Sequence, residues 1–150
     1  LVNFRVESNS NTHMIFVDGS ENTVGINTSN PSHPLEVTGS FLLSGSARAS
    51  YTVRPTAGAY SVADTDNVII FNNGSTSTAT LPTITHNNRG VQYYIKNIGG
   101  GAVTVTGSTG QEQFIDGQQT LSLTQGDSAK LIGHELVSGF AWSILSYYNV

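Results

Sequence analysis

The chain has 150 residues, a formal net charge of −4 and only 11% charged residues, against about 25% in an average domain. It contains no cysteine, which excludes disulfides and cysteine-ligated zinc sites. Lys96 and Lys130 are its only lysines, too few for the clustered basic surface that nucleic acid requires. The acidic balance argues against anionic membranes, and no apolar run has the length of a membrane span. We therefore expect neither a nucleic-acid partner nor membrane insertion.

Short strands with few large apolar residues are predicted in the first third of the chain, near 3–7, 13–17, 23–27, 35–38 and 40–43. Apolar residues alternate with small or polar ones on both sides of Pro31 and Pro34, which is typical of half-buried strands. Gly25 lies between two of these apolar residues and is expected to leave room for another backbone.

Strands this short do not form a stable sheet alone, and identical copies of the chain are the simplest cover. We predict that copies meet through Val24, Ile26, Leu35, Val37, Phe41 and Leu43. The alternative is an ordinary proline-containing loop between two strands of a monomer.

A small, polar stretch at residues 45–50 marks a predicted boundary. Residues 1–45 would form one segment, residues 46–50 a linker, and residues 51–150 a second domain. Longer strands are predicted there near 51–54, 59–62, 67–72, 78–81, 91–97, 102–106, 113–115, 119–124, 128–133 and 140–147.

Turn residues separate these strands at regular intervals: Asn73-Gly74, Gly99 to Gly101, Asp116-Gly117 and Gly126-Asp127. All four are predicted to be hairpins, and such short connections favour antiparallel pairing. No apolar stripe of helical period persists. The sequence therefore predicts an all-β protein whose residues 51–150 form an antiparallel, jelly-roll-like β-sandwich. Trp142 and Tyr93 are expected in its core, with Tyr94 on the opposite face of the same strand.

Two sets of motifs resemble the fibres of tailed bacteriophages. The segment VGINTSNPSHPLEVTG, at 24–39, resembles the stalk motif VGIGT-x-x-P-x-x-x-L-x-V-x-G, and FRVES and IFVDGSENT ahead of it fit the same pattern. The later segments TLP, YYIKNIG, VTV, IDG, LSLTQGDS and WSI follow the plan of the C-terminal heads of such fibres. Asn27 stands where that family usually has glycine. Because asparagine tolerates left-handed backbone, we expect the local fold to persist.

The resemblance implies the tip of a homotrimeric virion fibre. Residues 1–45 would end an intertwined three-chain stalk, and residues 51–150 would form a head that attaches to a glycan or outer-membrane receptor of the host. The protein would face outward on the virion, with the rest of the fibre upstream, since the chain starts at Leu1 without an initiator methionine. No enzymatic activity and no cofactor are expected.

Two polar loops, at 85–90 and 108–113, are candidates for receptor contact, and an outward tyrosine offers an apolar ring for a sugar. Either loop is alternatively a solvated connection. The predicted receptor residues are His86, Asn87, Asn88, Arg89, Gln111, Glu112 and Tyr94.

No two histidines have metal-ligand spacing, so no metal site is expected. A single histidine of the first segment, His13 or His33, could still hold an ion if a threefold axis repeated it. Carboxylates are sparse, and Asp64 and Asp66 suit turn formation better than hydrolysis of a polysaccharide.

Two other functions remain open at this stage. A fragment of a polysaccharide-degrading tailspike would need carboxylate pairs between chains. A monomeric carbohydrate-binding module of a secreted protein would leave the first 45 residues without a core.

Overall fold

A computed structural model describes residues 2–108 and 113–150. All regular elements in these two ranges are β-strands, so the predicted all-β class is confirmed. No helix long and apolar enough to cross a membrane occurs among the described residues. The chain divides into two compact units, Leu1–Ala47 and Arg48–Val150, and the division falls within the predicted linker.

The first unit contains one four-stranded sheet in chain order. Its strands are β1 (Phe4–Val6), β2 (Ile15–Asp18), β3 (Thr23–Ile26) and β4 (Leu35–Val37). β2 pairs antiparallel with β1 and β3, whereas β3 and β4 are parallel. The strand predicted at 40–43 is absent, so that prediction is wrong. Gly39, with φ of +138°, ends the extended course of β4, and Phe41 and Leu43 lie exposed in irregular chain.

The short connection between β3 and β4 depends on Gly25 and Asn27. A Cβ at Gly25 would lie 2.5 Å from the carbonyl oxygen of Thr28, so the backbone that approaches this glycine closely belongs to the same chain. Asn27 adopts φ of +62°, which confirms the left-handed backbone expected there. Its Nδ2 also donates to the carbonyl oxygen of Thr38 at 3.0 Å, a tie that glycine could not make.

The described residues of the second unit form nine strands in two sheets. One sheet has the order β11-β10-β8-β6 and the other the order β13-β12-β9-β7-β5. The strands are β5 (Tyr51–Arg54), β6 (Gly58–Ser61), β7 (Val68–Phe71), β8 (Ser77–Thr80), β9 (Gln92–Asn97), β10 (Val103–Thr106), β11 (Thr120–Leu123), β12 (Ser128–Leu136) and β13 (Gly139–Tyr148).

From β5 to β10 the chain changes sheet after every strand, and we call this part the wound segment. Strands two apart along the chain therefore lie side by side and parallel: β5, β7 and β9 in one sheet, and β6, β8 and β10 in the other. The β10/β11, β12/β9 and β12/β13 pairs are antiparallel.

The prediction of mainly antiparallel, jelly-roll-like pairing is thus wrong for the wound segment. Parallel neighbours need a long crossover connection. Here each crossover passes through a strand of the opposite sheet. The turns at Asn73-Gly74, Gly99 to Gly101 and Gly126-Asp127 each connect strands of different sheets, so they are corners and not the predicted hairpins. The turn at Asp116-Gly117 does reverse the chain, since Ile115 bridges Gln118 and both central residues have positive φ. The strand predicted at 113–115 is reduced to bridges at Ile115.

Two corners on one side of the wound segment pack directly on each other. A Cβ at Gly99 would overlap the backbone of Asn73, and one at Gly101 would overlap the backbone of Ser75. The buried side chain of Asn97 fixes the second corner, because its Nδ2 donates to the carbonyl oxygen of Gly101 at 2.8 Å. Glycine is needed at these two positions because two backbones meet there.

The core of the second unit lies between its two sheets. Trp142 and Tyr93 are fully buried, with ring centroids 5.6 Å apart, and Tyr94 faces outward, as predicted. Burial raises the pKa of Tyr93 to about 12, with smaller contributions from Asp64 and Asp66. The buried side chains come from both sheets and their connections: Val62, Ile69, Phe71, Ala79, Leu81, Ile84, Tyr93, Ile95, Val103, Val105, Ile115, Leu123, Ala129, Leu131 and Trp142.

Candidate functional site

The sheet of the first unit has one face made entirely of apolar side chains, which we call the apolar face. The pairing register places two rows of four residues on it: Phe4, Val17, Val24 and Leu35, then Val6, Ile15, Ile26 and Val37. Side chains alternate across a strand, so the opposite face carries Arg5, Phe16, Gly25 and Glu36 instead. Four of the six predicted interface residues lie on the apolar face.

Little of the chain covers this face. The side chains of Phe4 and Leu35, at opposite ends of one row, are 62% and 63% exposed. Among the described residues of the first unit, Phe16 is the only buried apolar side chain, and it belongs to the other face. Val6 and Ile15 are also exposed, and the other four side chains of the face are half-buried, so this apolar surface is a candidate interaction site.

The opposite face is polar and locally hydrogen-bonded. Glu36 Oε2 accepts hydrogen bonds from the backbone nitrogen and the hydroxyl of Ser32, both at 2.8 Å. These two bonds hold the pKa of Glu36 below its usual value. The sheet therefore has one mixed face, which carries charged groups beside the buried Phe16, and one apolar face that is partly exposed.

In the second unit, the loop at 85–90 contacts the hairpin of β12 and β13, and we call this contact the polar loop cluster. Arg89 Nη1 donates to the carbonyl oxygen of His86 at 2.7 Å. His86 Nδ1 lies 3.4 Å from Glu135 Oε1, and Arg89 Nε lies 3.9 Å from Glu135 Oε2. The rings of His86 and Phe140 are nearly perpendicular to each other, with centroids 5.1 Å apart. All three polar side chains are exposed.

The structure separates the predicted receptor residues into different roles. His86, Asn87 and Arg89 are exposed on the loop, whereas Asn88 holds it together: its Oδ1 accepts from the backbone nitrogen of Thr85 at 2.7 Å. Tyr94 is not part of this loop but lies on the outer face of the five-stranded sheet, opposite Lys130.

Gln111 and Glu112 lie outside the described residues. The end of their predicted loop is described, however, and Gln113 is buried there. Its side-chain amide pairs with both backbone groups of Ile84, at 2.7 Å and 2.8 Å. Gln113 is therefore structural, although the sequence placed it in a candidate binding loop.

Glu135 and Phe140 are the members of the polar loop cluster that the sequence did not indicate. They come from a hairpin some fifty positions further along the chain, in register with each other. No local pattern links them to residues 85–90. Only knowledge of the tertiary pairing would have found them.

No group of three or more histidines and carboxylates that could hold a metal ion occurs in the described ranges. Asp66 has the predicted turn role, since its Oδ2 accepts from the backbone nitrogen of Ala63 at 2.9 Å. The same carboxylate also binds the hydroxyls of Tyr60 and Thr52, at 2.7 Å and 3.1 Å. These bonds give Asp66 a structural role.

Comparison of the chain with protein-family models and with curated proteins found no match.

Proposed function

We propose that this chain is the non-enzymatic tip of a homotrimeric virion fibre and attaches a phage to a receptor on the host surface, most simply a glycan. The observation that carries the proposal is the apolar face of the first unit. It coincides with the segment that resembles the stalk motif of phage fibres. The stoichiometry of three comes from that resemblance.

Energetics favour a cover made of further copies of the chain. Full burial of a Leu, Ile, Val or Phe side chain is worth roughly 1.5–3 kcal/mol, and eight such side chains share the apolar face. Without them the described part of the first unit has a single buried apolar side chain, too little to offset the entropy of ordering its backbone. An uncharged face can meet its own copies around a symmetry axis with no unpaired charge.

The second unit supplies the surface for attachment. It has its own core, so its outward loops are free for recognition on a rigid scaffold. The polar loop cluster offers amide, guanidinium, imidazole and aromatic groups within one exposed patch. Three copies of a weak site raise the apparent affinity without any new contact.

Solution mass, measured by light scattering on a size-exclusion column, tests the assembly. We expect three times the chain mass of 15.9 kDa for the unchanged protein. Leu35→Asp, on the apolar face, should reduce the mass to that of a single chain. The matched control is Leu42→Asp, because Leu42 is 90% exposed and outside the sheet; it should remain trimeric. A single-chain mass for the unchanged protein would refute the assembly.

Binding to a glycan array tests attachment, and release of reducing ends from bacterial polysaccharides tests the absence of enzymatic activity. We expect binding to at least one surface glycan and no new reducing ends. Release of reducing ends would favour a polysaccharide-degrading tailspike. Glycan binding by a single chain would favour a carbohydrate-binding module.

A further inference from the structure

The outer face of the five-stranded sheet gathers both lysines of the chain. Two neighbouring rows of side chains cross all five strands there, and we call them the lysine–tyrosine face. The rows are Tyr51, Val68, Tyr94, Lys130 and Ser146, then Val53, Ile70, Lys96, Ser128 and Tyr148.

Each lysine lies over a tyrosine ring. Lys130 Nζ is 4.9 Å from the centroid of Tyr94, and Lys96 Nζ is 5.6 Å from that of Tyr148. The Lys96 ammonium also donates to the carbonyl oxygen of Gly126. These contacts hold both flexible side chains along the sheet, close to the exposed rings.

The face is positive in an otherwise acidic chain. Ten acidic residues outnumber six basic ones, yet neither row contains a carboxylate. Within the described ranges, neither lysine forms an ion pair. Two carboxylates close to these strands in sequence are engaged elsewhere: Asp66 accepts from Tyr60, and Asp127 accepts from Thr124.

The uncharged positions of the face are also unusual for an outer surface, which is normally polar. Tyr51 is 71% exposed and Tyr94 is 42% exposed, and Val53 is exposed beside them. A tyrosine ring offers an apolar surface to the carbon face of a sugar and a hydroxyl to its oxygens. Positive charge beside such rings favours a sugar that carries a negative group.

We propose that the lysine–tyrosine face binds an acidic polysaccharide, with sugar rings on Tyr94 and Tyr51 and the anionic group at Lys130 and Lys96. This inference rests on the proposed attachment to a glycan and names its chemical class. The anion is a carboxylate or a phosphate ester, since an ammonium group accepts either. A second copy of the same face is a poorer partner, because a twofold contact would bring like charges together.

Binding of the full chain to three immobilised polymers tests the assignment: polygalacturonate, phosphorylated dextran and unmodified dextran. We expect binding to one or both charged polymers, weakening at higher salt, and none to unmodified dextran. Lys130→Gln and Tyr94→Ala should each weaken it at least tenfold. Arg48→Gln removes the same charge from an exposed position outside the face and should bind as the unchanged chain does.

Other outcomes would overturn the assignment without touching the proposed function. Binding to neutral glycans alone would do so. So would loss of binding in Arg89→Gln but not in Lys130→Gln, which would move the site to the polar loop cluster. A reduced solution mass for Tyr94→Ala would show that copies of the chain cover this face. Absence of binding to any glycan would instead contradict the proposed function itself.

Discussion

In the second unit, fifteen buried side chains from two facing sheets and their connections form one core, whereas in the first unit Phe16 alone is buried among the described apolar residues. The second unit can therefore be stable within one chain. The first unit has the same strand chemistry but no second layer of its own, and we propose that further copies of the chain supply the missing cover. The difference shows that complete backbone pairing within a sheet does not by itself provide a hydrophobic core. Substitutions in the two units should therefore change the free energy of unfolding by different amounts. Only the stability of the first unit should depend on protein concentration.

The largest effect is expected from Trp142→Ala. Loss of a fully buried tryptophan should lower the free energy of unfolding of the second unit by about 3–5 kcal/mol, measured by denaturation followed by circular dichroism. Tyr148→Ala, at an exposed position, should lower the free energy of unfolding far less. The solution mass should not change in either variant, because association is assigned to the first unit. A mass change with Trp142→Ala would contradict that division.

A smaller effect is expected from Gly101→Ala. The new Cβ would overlap the backbone of Ser75, and such overpacking costs typically 1–3 kcal/mol. Gly100→Ala is the matched control, since a Cβ there meets nothing within 4 Å. Equal thermal midpoints for the two variants would refute the close packing of these corners.

Dilution should lower the stability of the first unit but not that of the second. If three chains bury their apolar faces against one another, tenfold dilution lowers the free energy of unfolding of the first unit by about 0.9 kcal/mol per chain through mass action. The transition of the second unit should not depend on concentration. We expect thermal unfolding to show one transition that shifts with protein concentration and one that does not. A single transition independent of concentration would contradict the comparison.

The last prediction concerns the second unit at alkaline pH. The pKa of Tyr93 is raised from its ordinary value of 10.0 to about 12, mainly by burial. A raised pKa favours the folded state fully below the unfolded value, so this contribution is complete below pH 10 and is lost between pH 10 and 12. Tyr93→Phe should remove that part of the pH dependence, measured as the difference between the two unfolding curves.

The strands were largely predictable from the sequence, because alternation is a local pattern and the residues that carry it are neighbours. The left-handed backbone at Asn27 was predictable as well, because the motif it resembles has glycine there and asparagine tolerates that conformation. Pairing was not predictable. Asn73-Gly74 suits a hairpin and a corner between sheets equally well, and the pairing of the flanking strands in different sheets distinguishes them.

The candidate sites were predictable to different extents. The alternation in the first unit indicated half of the apolar face, because that face follows directly from strand period. Phe4 and Ile15 were missed as members because their strands had no assigned partners. In the polar loop cluster, Glu135 was missed because it reaches His86 only through tertiary packing. Gln113 was misassigned because a buried amide and an exposed one look the same in a sequence.

The wound segment has two unlike sides, and this has a consequence for how such a protein can change over time. On one side, the corners at 72–76 and 98–101 are in backbone contact, and insertions there would push two strands apart. On the other side, the longer connections at 62–67 and 81–91 carry the turn of Asp66 and the exposed loop at 85–90. Relatives of this chain should therefore differ in length and sequence mainly along that second side, where new recognition can evolve while the wound strands stay the same.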